Sequence, residues 1–168
     1  HGSKGGWDKF GPERTVTRSE ANVLYELDGK PALSLYKEYL GDRASQLPAS
    51  ALSLPLAVRD PVTDAQVVRT VVAIDEARGS VRFAGTIPVG HTTQFMKADV
   101  ERLINGSTHA ALMASENGAP ASPECLVLAV SCSGRRHMLG AHTEDEVEAL
   151  ADTFRSDRVQ VSGFYAYV

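Results

Sequence analysis

The sequence predicts an α+β domain: a mixed, largely antiparallel sheet with helices packed on it as a layered sandwich. Three observations lead there. Short apolar segments are joined by tight turns, which favours antiparallel neighbours. Segments of helical period lie between them and give the sheet something to bury against. The 168 residues carry no internal repeat and no long linker, and a composition of 43% hydrophobic and 23% charged residues is enough for one core.

Residues 1–12 are Gly-rich around Trp7 and Phe10 and read as a linker or the end of a preceding N-terminal domain, with 13–168 as the domain proper. The chain starts without Met, so a piece of something longer is expected. Glu13 to Ser19 alternates as a strand, and Asn22 to Leu27 is a second, closed by the Asp28-Gly29 turn. Pro31 suits the first turn of a helix whose stripe is Leu33, Tyr36 and Leu40, with Gly41 as its stop. Residues 42–53 form a short helix and loop, and Leu54 to Val58 a strand broken at Asp60-Pro61.

Val67 to Ile74 reads as one strong strand, turning through Glu76 to Gly79 into a partner at Ser80 to Ala84. Thr92 to Lys97 is a further strand. Asp99 caps the next helix, whose buried side is Val100, Leu103, Ile104, Ala111 and Leu112, with a weak point at Asn105-Gly106. Asn117 to Pro123 is a loop. The unalternating run Leu126 to Val130 predicts a strand buried on both faces. Thr143 and Glu146 have capping-box spacing, ahead of a core face of Val147, Leu150, Ala151 and Phe154. Val159 to Val168 is the last strand.

Several function classes are excluded by these numbers. A net charge of −4 and a pI near 5.7, with basic residues scattered, argue against nucleic acid. No apolar run reaches the ~20 residues of a membrane span, so no membrane insertion is expected. Cys125 and Cys132 would sit ~23 Å apart on one strand and cannot form an intrachain disulfide, as in a cytoplasmic protein. No nucleotide loop, zinc motif or nucleophile elbow is present, so the chain is not expected to be an enzyme.

The candidate site is the end of the Leu126 strand. There Ser131-Cys132-Ser133-Gly134 turns into Arg135-Arg136. Strand ends often open onto ligand clefts, and guanidinium groups hold anions by forked hydrogen bonds. The proposed ligand-binding residues are Arg135, Arg136, Ser133 and Cys132; the competing reading has the arginines pairing with surface carboxylates. Cys132 is either a thiol made reactive by nearby positive charge or a small buried residue. Among the histidines, His91 is the first candidate for a haem iron ligand, because Phe95 and Met96 follow it and could wall a pocket.

The ordered set Gly5-Gly6-Trp7, Phe10-Gly11-Pro12, Asn22 to Leu33, Tyr39-Leu40-Gly41, Phe83-Ala84-Gly85, Ser131 to Arg136 and Gly163-Phe164-Tyr165 resembles the C-terminal domain of the FIST family. The resemblance covers nearly the whole chain. The family pattern carries Gly-Glu and a further stretch after Gly-Phe-Tyr, so a domain truncated at its C-terminus is expected. What the resemblance implies is an intracellular sensory input domain that binds a small molecule, such as an amino acid-like anion or haem for nitric oxide sensing, and signals to a partner such as a histidine kinase. The alternative is an interaction scaffold that recruits a kinase or other signalling protein without a small ligand.

Overall fold

The computed structural model describes residues 1–116, 125–154 and 159–166; the Asn117 to Pro123 loop and the last two residues of the final strand lie outside them. The chain divides into two compact units, Asp8–Lys97 and His1–Trp7 with Ala98–Val168. The fold is α+β, as the sequence predicts.

In the first unit the strands are β1 (Asp8–Glu20), β2 (Val23–Leu27), β3 (Lys30–Pro31), β4 (Leu56–Arg59), β5 (Gln66–Arg69), β6 (Val71–Asp75), β7 (Ser80–Phe83) and β8 (Thr92–Lys97), with helix α1 (Ala32–Leu40) and two 3₁₀ turns before β4. The order β5-β4-β8-β1-β2-β7-β6 is antiparallel throughout. β1 begins at Asp8 rather than at residue 13, because Asp8 to Phe10 pair with Lys97 to Phe95.

The segment 67–74 is not one strand. β5 pairs with β4 at one edge of the sheet, and β6 pairs with β7 at the other. Thr70 is the corner between them, its carbonyl accepting the Ala84 N–H at 2.9 Å. A chain that runs from one edge strand straight into the other edge strand requires the sheet to curl. Arg69-Thr70 carries none of the Gly, Pro or Asn-Gly signals that mark a turn, so the pattern could not reveal the corner.

Helix α1 supplies the filling. Leu33, Leu35, Tyr36 and Leu40 are buried, and they join Val16, Leu24, Leu27, Leu56, Val58, Val71, Val81, Phe83 and Phe95 in one apolar cluster. Tyr36 meets Phe95 edge-on at 5.0 Å, and Tyr39 lies 4.5 Å from Phe95. Gly41, at φ 56°, ends the helix in a conformation that favours glycine.

The second unit holds α2 (Val100–Glu116), β9 (Cys125–Cys132), α3 (Ser133–Leu139), α4 (Thr143–Thr153) and β10 (Val159–Ala166). β9 and β10 form a parallel pair. Asp99 accepts the Arg102 N–H at 2.8 Å and so caps α2. The helix does not break at Asn105-Gly106: Gly106 is there because Gly6 lies against it, and a Cβ would meet Gly6 Cα at 3.1 Å.

Three further expectations are corrected. β9 is not buried on both faces: Leu126, Leu128 and Val130 are 66, 63 and 54% exposed, because among the described residues only one face of the pair is covered. Leu112 and Val147 are exposed, not core. Glu146 does not reach back as a capping-box partner; it is the buried residue of α4, and the Thr143 hydroxyl instead donates to Gly140 O at 2.7 Å.

Candidate functional site

The apolar strand ends at Cys132, close to where the sequence places its end, but the helix that follows is not among the expected elements. β9 ends at Cys132, and α3 starts at once, with the Cys132 Sγ accepting the Arg135 N–H at 3.3 Å. Cys132 is therefore a half-buried N-cap, and both cysteines are free thiols.

The two arginines that follow have opposite fates. Adjacent positions on a helix point about 100° apart. Arg135 turns inward and is 6% exposed. Its Nε and Nη2 donate to Glu146 Oε1 at 2.8 and 2.5 Å, Nη2 also donates to Leu103 O at 2.7 Å and Ser107 Oγ at 3.1 Å, and Nη1 donates to Gly5 O. Glu146 is 5% exposed and also accepts from Ser107 Oγ at 2.8 Å and from the Tyr165 hydroxyl at 2.9 Å. The anion that Arg135 holds is thus a carboxylate of its own chain. A buried charge pair of this kind survives desolvation only when its remaining donors and acceptors are matched, as they are here.

Arg136 turns outward. It is exposed, its guanidinium lies 5.5 Å from the centre of the Tyr165 ring, and it has no hydrogen bond or ion pair among the described residues. The same strand end and first helical turn carry Ser133, half-buried at the first position of α3, and Ser131, whose buried hydroxyl has no partner among the described residues. Tyr165 pairs with Ser131 across the two strands. All of these lie at the carboxyl ends of the parallel strands. Burial, and then the hydrogen bond to Glu146, push the Tyr165 phenol up to about 12.

Ser131 and Tyr165 were not in the sequence-derived set. The available signal was the parallel pairing of β9 with β10, which no local pattern encodes.

His91 belongs to the other unit. Its backbone carbonyl accepts the Val16 N–H at 2.9 Å, and its Nε2 faces Asp60 Oδ2 at 3.8 Å. The N–H groups of Val62 and Thr63 hold the Asp60 carboxyl below its ordinary range. Phe95 and Met96 are 1 and 4% exposed and packed, Phe95 against Tyr36 and Tyr39, so they do not wall an open slot. The pocket wall expected beside His91 is therefore packed into the core, while the buried Nδ1 of His91 has no partner among the described residues. Among the described residues no group of three His, Cys, Asp or Glu could hold a metal ion, and no helix is long and apolar enough to cross a membrane.

Comparison with protein families gives two matches: a model described as the FIST C domain over residues 32–168, and one described as the FIST N domain over residues 1–30. The junction between the matches falls at β3, so the paired strands β1 and β2 carry the N-domain match while their outer neighbours β8 and β7 carry the C-domain match. No curated protein and no solved structure matches the chain.

Proposed function

From the premise that this chain belongs to the FIST family, whose domains are sensory domains of signal transduction, we propose that it binds a small anionic molecule at Arg136 and reports that binding to a signalling partner such as a histidine kinase. The observation that supports this is the guanidinium of Arg136, without an ion pair among the described residues and held over Tyr165 at the carboxyl end of a parallel strand pair. That end of a parallel sheet is where ligands of open α/β sheets bind. The seryl hydroxyls of Ser131 and Ser133 supply neutral donors beside it, and Cys132 shapes the turn. Arg135 serves the site from behind: with Glu146 it fixes the Tyr165 hydroxyl, and so the ring over which Arg136 rests.

The ligand class is a carboxylate: an amino acid-like anion, or a haem through its propionates. Nothing in this reading needs a catalytic group. A sensor also needs a ligand that prefers one conformation over another.

The test is calorimetric titration of the chain with a panel of carboxylates, amino acids and haem, repeated on Arg136→Ala and Arg136→Lys. Removing a charge-assisted bond costs about 1.5–3 kcal/mol, roughly 10- to 150-fold in affinity. Affinity unchanged within about twofold in Arg136→Ala, for the tightest binder of the panel, removes the anion role. The scaffold reading draws on a separate observation, the exposed apolar row Leu126, Leu128 and Val130 with Phe164. A kinase complex that forms equally well without any member of the panel, and is lost in Leu128→Asp, favours it.

A further inference from the structure

The outer face of the curled sheet carries a cavity that the family assignment does not mention. It measures about 380 Å³ and is lined by Val23 and Tyr25 of β2, Ala73 and Asp75 of β6, and Arg82 of β7, with the β6–β7 turn at its rim. Its position follows from register. Val23, Arg82 and Ala73 stand in one row across three strands, while their neighbours Leu24 and Val81 point into the core, fully buried.

The charges around this cavity are mostly spoken for. Glu76 is paired with Lys37 at 2.6 Å, and Asp75 accepts the Arg78 N–H at 3.1 Å with the Arg78 side chain 3.8 Å away. Arg18 is paired with Glu26 at 3.2 Å and lies over the Tyr25 ring at 4.7 Å. Arg82 is the exception: it is exposed and has no partner among the described residues. Its row neighbours, Val23 and Ala73, are apolar and carry no group that could pair with it.

We infer that this cavity is a second binding site, for a small organic carboxylate with a flat apolar body, about the size of benzoate. The volume lies at the lower end of small-molecule sites. One unmatched guanidinium calls for one negative charge, and its fork suits a carboxylate. Val23, Ala73 and the Tyr25 ring offer an apolar floor and wall to a planar body. Inorganic phosphate has no apolar body to lay on that floor, so it gains nothing from Val23, Ala73 or the Tyr25 ring. The inference stands independently of Arg136, which belongs to the other unit.

The experiment is an amide NMR titration of the chain with benzoate, with benzyl alcohol as the uncharged analogue and inorganic phosphate as the compact anion. Saturable shifts are expected at the amides of β2, β6 and β7, with a weaker or absent response to benzyl alcohol and to phosphate. Arg82→Gln, an exposed change that leaves the core intact, should weaken benzoate about tenfold or more, and Tyr25→Leu should weaken it less. Absence of saturable shifts at those strands overturns the proposal. So does equal binding in Arg82→Gln, equal binding of benzyl alcohol, or phosphate binding as well as benzoate.

Discussion

The two units reach a folded state by different chemistry. In Asp8–Lys97 a large apolar cluster centres on α1, with aromatic rings touching one another and the buried Tyr36 hydroxyl without a partner among the described residues. In the unit that contains α2, α3 and α4, the buried apolar side chains among the described residues are Leu103, Ala111 and Leu139, and the centre is the Arg135–Glu146 pair with Ser107 and Tyr165. The same unit leaves Leu126, Leu128, Val130 and Phe164 on its surface. Apolar burial is non-directional and tolerates imprecise geometry; a buried ion pair is specific and fails if any member is lost. The first unit is therefore held by volume, and the second by a hydrogen-bond network.

Substitutions can break or sharpen this contrast, and Trp7, the single tryptophan, reports on the second unit. The largest effects should come from Phe95→Ala and Glu146→Leu. The first leaves a cavity among Tyr36, Tyr39 and Phe10 and should cost about 3–5 kcal/mol, read by hydrogen exchange of the β7 and β8 amides. Glu146→Leu strands the Arg135 charge and should cost a similar ~3–5 kcal/mol, read by Trp7 fluorescence in denaturant. The two differ in how they are rescued. Adding Arg135→Met to Glu146→Leu should recover most of the loss, since an apolar pair can replace a buried ion pair at little cost. If the double variant is as unstable as the single, the network is not held by charge pairing.

Tyr165→Phe should cost about 1 kcal/mol, by removing one hydrogen bond to Glu146. Its pH signature is more informative. A phenol raised to about 12 is favoured in its neutral form by folding, so its contribution is complete below its ordinary value of 10.0 and is lost as pH rises toward 12. The wild-type denaturation midpoint, followed by Trp7 fluorescence, should fall across that window more steeply than that of Tyr165→Phe; parallel curves would remove the coupling. The smallest effect belongs to Tyr36→Phe. The hydroxyl it deletes is fully buried and unpaired, so stability should hold or rise by about 1 kcal/mol, whereas an equivalent change in the other unit is destabilising.

Much of this was legible before the structure. The helix at α1 with its stripe and glycine stop, the β6–β7 hairpin turning at Gly79 with φ 61°, and the strand Thr92–Lys97 all stand where the pattern put them. So does the Asp99 cap. At the candidate site, the strand end and the two arginines were legible, but not their division of labour, because residue type alone does not say which of two neighbouring arginines has a carboxylate waiting for it. The exposed row on β9 misread for a related reason: an unalternating run predicts burial only if a second layer is present to cover it.

The sequence by itself determined what depends on neighbours in the chain: periodicity, turn chemistry, caps and the glycines that allow positive φ. Tertiary structure alone decided which strands became edges, so that 67–74 split at Thr70 between opposite ends of the sheet. It also decided that Arg135 would meet Glu146 and, 130 residues away, the carbonyl of Gly5. The physical reason is range. Local preferences act over a few residues, whereas the fate of a buried charge is set by whichever distant group can satisfy it once water has been removed.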